Sequence, residues 1–174
     1  MKAHGMNLTF FRRRAIRIFL AATVVVFPAT FNATTLPQAA PNIAINGQLS
    51  TDKIQRGRTV QGTLVMDIPA GYHVNSSKPL EKFLIATQLQ IQAPNNIRVG
   101  PIMYPRAVLR NFKFSKNKVS VYEGRATMRF NVTVPTTAAV GQNELKARLR
   151  YQSCNDESCF PPQTHEVSLW LTVN

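Results

Sequence analysis

The chain has 174 residues, of which 44% are hydrophobic and 17% charged, so it is long enough for one ordinary domain with an extension and too apolar to be wholly disordered. Two cysteines and three histidines exclude a multi-thiolate zinc scaffold. The formal net charge of +13 could attract nucleic acid, anionic lipid or an acidic protein, and by itself it selects none of them.

Residues 1–33 predict an export signal. Arg12, Arg13, Arg14 and Arg17 precede a mainly apolar stretch at 18–29, which is too short for an ordinary membrane span. The sequence does not define a cleavage site, so an uncleaved membrane anchor is the alternative. Export places the rest of the chain in the periplasm or another oxidising compartment, where two cysteines can form a disulfide.

The exported part begins with a linker predicted at residues 34–43, which contain two prolines and no periodicity. Residues 44–174 then form one predicted domain of seven to nine short strands, without a convincing amphipathic helix. Apolar and polar residues alternate at 60–68, 126–134, 145–151 and 167–173, and shorter candidates lie at 43–49, 72–76, 86–92 and 118–122. This pattern predicts an all-β, two-sheet antiparallel sandwich, with a closed barrel as the alternative.

Isolated histidines and methionines give no sign of a metal site or another cofactor. His73 and His165 stand alone in the sequence, so we expect no metal ligands from them. Met66, Met103 and Met128 are predicted to fill the core.

Both cysteines lie in one connection between two predicted strands, and therefore at one end of the sandwich. Cys154 directly follows the predicted strand 142–152, and Cys159 comes five residues later. A disulfide there would close a loop of six residues, which stabilises a fold by only about 2 kcal/mol in the chain-entropy model. A short polar loop also gives a partner access to the sulfurs, as thiol–disulfide exchange requires.

Charged residues around the cysteines act in opposite directions. Asp156 and Glu157 disfavour a thiolate, whereas Arg148 and Arg150 on the adjoining strand offset them. The residues alone therefore leave two hypotheses open. One is a redox-active pair, and the other is a local structural disulfide in a non-catalytic binding module.

The run Tyr-Gln-x-Cys-Asn-Asp-x-x-Cys-x-Pro-Pro-x-Thr at 151–164 resembles the signature of the N-terminal periplasmic domain family of the thiol:disulfide interchange protein DsbD. Segments 71–76 and 83–87 are similar to an early motif of that family, and 104–105 with 121–124 to its central region. The resemblance covers about residues 45–173.

This resemblance implies an immunoglobulin-like sandwich and a cysteine pair that cycles between disulfide and dithiol. It also implies a thiol–disulfide oxidoreductase component that receives electrons from a separate thioredoxin-like donor and passes them to periplasmic thiol–disulfide proteins. Cys159 would form the mixed disulfide with a partner, and Cys154 would resolve it. Tyr151 and Phe160 would flank the pair and shape its pocket.

The chain departs from the family pattern in two places. It has four residues between its cysteines where the best-known members have five, and the segment 106–118 is basic where the family has an acidic pair and an aromatic residue. Phe112 or Phe114 could supply the aromatic cover. The basic residues would form a positive rim that steers an acidic partner: Arg106, Arg110, Lys113, Lys116 and Lys118.

A merely solvated basic hairpin is the alternative for this segment. Nucleic-acid binding is not expected, because the sequence predicts neither a helix for a groove nor a row of stacking aromatic residues. Contact with a membrane is expected only through the N-terminal segment, if it stays uncleaved.

Overall fold

The structure of the chain is a computed structural model that describes residues 39–174. The predicted export signal and the first half of the predicted linker, residues 34–38, lie outside these residues. The described part consists of strands and the loops that join them. Within it, no helix is long and apolar enough to span a membrane.

Twelve strands occur in residues 39–174, and nine of them have three residues or more. They are β1 (Ala44–Leu49), β2 (Lys53–Ile54), β3 (Thr59–Asp67), β4 (His73–Asn75), β5 (Gln88–Gln92), β6 (Arg98–Val99), β7 (Val108–Arg110), β8 (Val119–Tyr122), β9 (Arg125–Thr133), β10 (Gly141–Tyr151), β11 (Ser153–Cys154) and β12 (Gln163–Val173).

Two large sheets form the sandwich, in the orders β1-β3-β9-β6 and β2-β12-β10-β5. Seven of these strands, β1, β3, β5, β6, β9, β10 and β12, follow one another in the chain as strands A to G. The sheets are then A-B-E-D and C-F-G, which is the immunoglobulin arrangement. The predicted all-β, immunoglobulin-like sandwich is confirmed, and the closed-barrel alternative is wrong. One pairing departs from the predicted antiparallel pattern, because β2 runs parallel to β12.

Alternating side chains of both sheets meet in one main core. Leu64 and Phe130 come from the first sheet, and Leu145, Leu149 and Leu171 from the second. Each is fully buried, as the period-2 pattern of these strands predicts.

Two of the three methionines that were predicted to fill the core are found there. Met66 and Met128 are fully buried in the core, but Met103 is 50% exposed, so its prediction as a core residue is wrong. Met103 lies in a loop and forms only an isolated bridge with Arg129, outside the long alternating strands.

A third, smaller sheet has the order β11-β4-β8-β7 and was not predicted. Its strands belong to the connections B–C, D–E and F–G of the sandwich, which it joins at one end of the domain. One face adds Val74 and Tyr122 to the main core. The other face carries a second apolar cluster that includes Val119 and Val121. This end of the sandwich therefore has an apolar surface of its own.

The direct pairing of Gly62 with Phe130 across β3 and β9 gives a test of the fold. A Cβ atom at Gly62 would overlap the ring of Phe130, which is fully buried. We expect Gly62→Ala to lower the free energy of unfolding by about 1–3 kcal/mol, because overpacking displaces a core side chain. Urea denaturation of the oxidised protein would measure the change.

Gly100→Ala is the matched control. Its added Cβ would lie 3.7 Å from the backbone oxygen of Asn131, an ordinary contact. We expect its unfolding free energy to change by less than about 1 kcal/mol. Equal destabilisation by both substitutions would contradict the packing argument.

Candidate functional site

Cys154 and Cys159 form a disulfide across a short hairpin at the edge of the third sheet. Their Cα atoms are 3.9 Å apart. The hairpin continues outward from β11, since the Phe160 N–H donates a hydrogen bond to the Ser153 carbonyl at 2.9 Å. The disulfide therefore connects two directly opposed positions of the hairpin.

The four residues between the cysteines form a hydrogen-bonded turn. The Asn155 N–H donates to the Ser158 carbonyl at 2.9 Å. The Asn155 Oδ1 accepts from the backbone N–H groups of Glu157 and Ser158 at 2.9 and 2.8 Å. Asn155 thus holds the turn from inside, and Asp156 and Glu157 are left exposed.

The two cysteine residues differ in their exposure to solvent. Cys154 is fully buried, whereas Cys159 is only partly buried. Cys159 packs against the second apolar cluster, formed by Leu84, Val119 and Val121. An attacking thiolate therefore has a shorter route to Cys159 than to Cys154.

A polar network fixes the base of the hairpin. The Gln152 Oε1 accepts hydrogen bonds from Asn75 Nδ2 at 2.9 Å and from the Ile85 N–H at 3.0 Å. The Gln152 Nε2 donates to the Phe160 carbonyl at 3.1 Å. One side chain thus ties β4, the segment after it and the return strand of the hairpin together.

The predicted aromatic cover, Phe112 and Phe114, lies over this end of the sandwich. Both pack against the same apolar cluster as Cys159. Their rings are parallel, with centroids 5.3 Å apart. Phe112 also stacks on His73 with a centroid distance of 3.9 Å. We call residues 106–118 the cap segment, because its two aromatic residues pack on the cluster against which Cys159 also packs.

The cap segment is joined to the cysteine hairpin at Lys113. Its backbone N–H donates to the Asp156 carbonyl, and its Nζ contacts the Glu157 Oε1, both at 3.1 Å. The cap segment therefore supplies the basic partner of this ion pair, and the hairpin supplies the acidic partner.

Of the other four cations of the predicted rim, Lys116 and Lys118 are exposed, and Arg106 and Arg110 precede Lys113 in the cap segment. Arg110 makes a two-pronged ion pair with Glu123, at 3.0 and 2.9 Å. Arg106 is exposed and lines a shallow pocket together with Glu123. Arg110 and Lys113 are thus engaged with acids of this chain, and both pairs are exposed, so each contributes at most about 1 kcal/mol.

Tyr151 and Phe160, expected beside the cysteines, lie beneath the site. Tyr151 is fully buried in the main core, its hydroxyl donates to Gln163 Oε1 at 2.9 Å, and burial raises its pKa above 10.0. Phe160 is buried next to Tyr72, with ring centroids 6.1 Å apart. Both residues support the hairpin from below.

His73 belongs to the site although the sequence analysis gave it no role. It pairs with Cys154 across β4 and β11, and only 2% of it is exposed. Burial lowers its pKa from 6.5 to about 4, against the opposite influence of Glu123 and Asp156. No local sequence pattern indicates this contact, because the cross-strand pairing joins residues distant in the chain. No three His, Cys, Asp or Glu residues in the described part form a metal-binding group.

Comparisons with solved structures find similar sandwiches at low identity. The reduced N-terminal domain of DsbD from Neisseria meningitidis is 17% identical, with a TM-score of 0.46 over 74% of this chain and 85% of that chain. The N-terminal periplasmic domain of ScsB from Proteus mirabilis is 12% identical, with a TM-score of 0.47 over 75% of this chain and 45% of that chain. A type I cohesin from Pseudobacteroides cellulosolvens is 11% identical, with a TM-score of 0.44 over 75% of this chain and 92% of that chain.

At the level of sequence, no curated protein matches this chain. The family model described as "Thiol:disulfide interchange protein DsbD, N-terminal" matches residues 46–170. The match spans well over half of the 174 residues and includes both cysteines. The chain therefore belongs to the family of N-terminal domains of the thiol:disulfide interchange protein DsbD.

Proposed function

We propose that this chain is an exported thiol–disulfide exchange module that relays electrons from a thioredoxin-like donor to periplasmic thiol–disulfide proteins. It needs a separate electron donor, and it acts through the Cys154–Cys159 pair. The observation that carries this proposal is the unequal burial of the two cysteine residues within one short hairpin. Cys159 is partly exposed and Cys154 is fully buried.

The unequal burial gives the order of the steps. A donor thiolate attacks the Sγ of Cys159, the intramolecular S–S bond breaks, and its electron pair leaves on the Sγ of Cys154. The second thiolate of the donor then attacks the donor sulfur of this mixed disulfide. The donor leaves as a disulfide, and the chain holds two thiols. With an acceptor disulfide, the Cys159 thiolate attacks one acceptor sulfur and forms a mixed disulfide. The Cys154 thiolate then attacks the Cys159 sulfur, the Cys154–Cys159 disulfide forms again, and the acceptor leaves as a dithiol with the two electrons.

The cap segment controls access in this proposal. In-line attack on Cys159 requires space where Phe112 and Phe114 pack against its cluster. The polar contacts that join the cap segment to the hairpin are a backbone hydrogen bond and an exposed ion pair, both made by Lys113. Such contacts are individually weak, so a partner can displace the part of the cap segment that follows β7 at low cost, while β7 stays paired with β8. An acidic partner that binds Lys113 would compete with Glu157 for it.

Single cysteine variants test the assigned roles. In Cys154→Ala, the Cys159 thiol is first converted to a mixed disulfide with thionitrobenzoate by Ellman's reagent. We expect a thioredoxin-like protein whose resolving cysteine is replaced to attack Cys159, release thionitrobenzoate and accumulate as a stable mixed disulfide, because the resolving thiol is absent on both sides. Cys159→Ala should trap at least tenfold less, since the sulfur of Cys154 is buried. Non-reducing gel electrophoresis followed by mass spectrometry measures the adduct. Exchange that persists in both variants would disprove the relay.

The reduction potential separates the relay from a structural disulfide in a binding module. Titration in graded thiol buffers, with free thiols counted at equilibrium, should give a value above about −300 mV, as for labile pairs. The loop that the disulfide closes has six residues, so its reduction should cost only about 2 kcal/mol of unfolding free energy. A potential well below −300 mV would favour the binding module instead.

Removing the aromatic cover tests the cap segment. We expect Phe112→Ala to speed reduction of the disulfide by dithiothreitol by about three- to tenfold, because a lost aromatic stack of about 0.5–1.5 kcal/mol raises the open population. Stopped-flow or quenched thiol assays measure the rate. Trp170→Ala is the control, since it also removes an aromatic ring, but Trp170 is 51% exposed and pairs with Glu144 at the far end of β12. An unchanged rate in Phe112→Ala would contradict a shielding role.

A further inference from the structure

His73 and Cys154 are directly opposed residues of β4 and β11. Side chains at directly opposed positions of antiparallel strands project to the same face, with Cβ atoms roughly 4.5–5.5 Å apart. By the alternation of side chains along β4, this is the face opposite to Val74, which packs in the main core. The imidazole and the buried sulfur therefore share the space beneath the cap segment.

The imidazole of His73 has an unmet hydrogen-bonding capacity. Its Nε2 is buried and has no hydrogen-bond partner among the described residues. Phe112 covers one face of the ring, with centroids 3.9 Å apart. Leaving a buried polar nitrogen unpaired is unfavourable. A disulfide sulfur has no proton to donate and is a weak acceptor, so the oxidised pair gives this nitrogen little.

We propose that His73 is the hydrogen-bond and proton partner of the Cys154 sulfur when the disulfide opens. This inference rests on the proposed exchange function and assigns a further residue to it. When a thiolate attacks Cys159, the Cys154 sulfur leaves with the electron pair of the S–S bond as a buried thiolate. One proton taken from water then completes the step, and the sulfur and Nε2 share it as a hydrogen bond.

The surroundings of His73 favour this uptake of a proton. Glu123 and Asp156 both raise the pKa of His73, although burial outweighs them in the disulfide state. Arg110 pairs with Glu123, and Lys113 is bonded to the backbone of Asp156, whereas Phe112 on the ring face has no charge. A thiolate at Cys154 would add a negative charge next to the ring. An isolated thiolate and an isolated imidazolium are each costly in this buried space, so the two groups titrate as a pair.

A groove supplies the route for the proton. Its lining includes His73, Phe112, Glu123 and Asp156, and it is open to solvent. Water can therefore approach the edge of the site without unfolding of the two large sheets.

The titration of His73 in the full chain, followed by NMR in both redox states, tests the proposal. The disulfide form should titrate near the pKa of about 4 that burial imposes. After reduction with a phosphine, we expect the pKa of His73 to rise by at least one unit, since a sulfur that shares the proton is then present. The ring signals of the exposed His165 serve as an internal reference. Identical titration of His73 in both states would overturn the proposal.

A variant provides a second readout. His73→Phe keeps a ring for the stack with Phe112 but removes both nitrogens. We expect its disulfide to open about tenfold more slowly with dithiothreitol, because the leaving thiolate loses a hydrogen bond. His165→Phe is the matched control and should react at the rate of the unchanged chain. An equal rate in His73→Phe would also overturn the proposal.

The two readouts keep this inference separate from the proposed function. Dithiothreitol and the phosphine are small reagents, so neither measurement needs a protein partner. If His73 responds to reduction but no thioredoxin-like protein is trapped, the relay fails and the role of His73 is upheld. If trapping succeeds and His73 does not respond, the relay is upheld and the role of His73 is wrong. If His73→Phe does not fold, the NMR comparison decides.

Discussion

The position of the disulfide depends on the pairing of β11 with β4, which involves only two residues of each strand. So short a ladder is weak in isolation. The Gln152 side chain reinforces it through hydrogen bonds to Asn75, Ile85 and the carbonyl of Phe160. Because these bonds are partly buried, water cannot easily replace them, and the loss of one would leave its partners unsatisfied. This network orients the hairpin, and the orientation in turn determines which sulfur is buried and which residue faces Cys154.

The sandwich could be predicted from the sequence because its long strands alternate over many residues. β3, β9, β10 and β12 have nine to eleven residues each, and their buried positions follow the period-2 pattern closely. The third sheet as a unit could not be predicted in this way, although β4 and β8 fall within the short candidates at 72–76 and 118–122. Its strands have two to four residues, and β4, β8 and β11 are buried at every position, so no alternation marks them. Strands buried on both faces lose the signal on which pattern analysis depends.

The site could be predicted only in part, for a related reason. The cysteine hairpin is local in sequence, and the aromatic residues of the cap segment stand out in a basic stretch, so both could be recognised. His73 looked like an isolated histidine, because its proximity to Cys154 arises from strand pairing across much of the chain. The family resemblance implied that Tyr151 would flank the pair, to which it is near in sequence. However, it is the last residue of β10, where its side chain points into the core, fully buried. Nearness along a strand does not give the face on which a side chain lies.

The two apolar clusters of the domain differ greatly in size. The main core joins both large sheets, whereas the cluster beneath the cap segment has only three fully enclosed residues, Leu84, Val119 and Val121. Regions with little buried apolar surface open at lower free energy than the core. In the proposed exchange, opening only the part of the cap segment that follows β7 would expose Cys159 at the cost of this small cluster, the Lys113–Glu157 ion pair and one aromatic stack. The β7–β8 ladder and the two large sheets would stay intact. The proposed exchange therefore requires movement only at this end of the domain, where little apolar surface is buried.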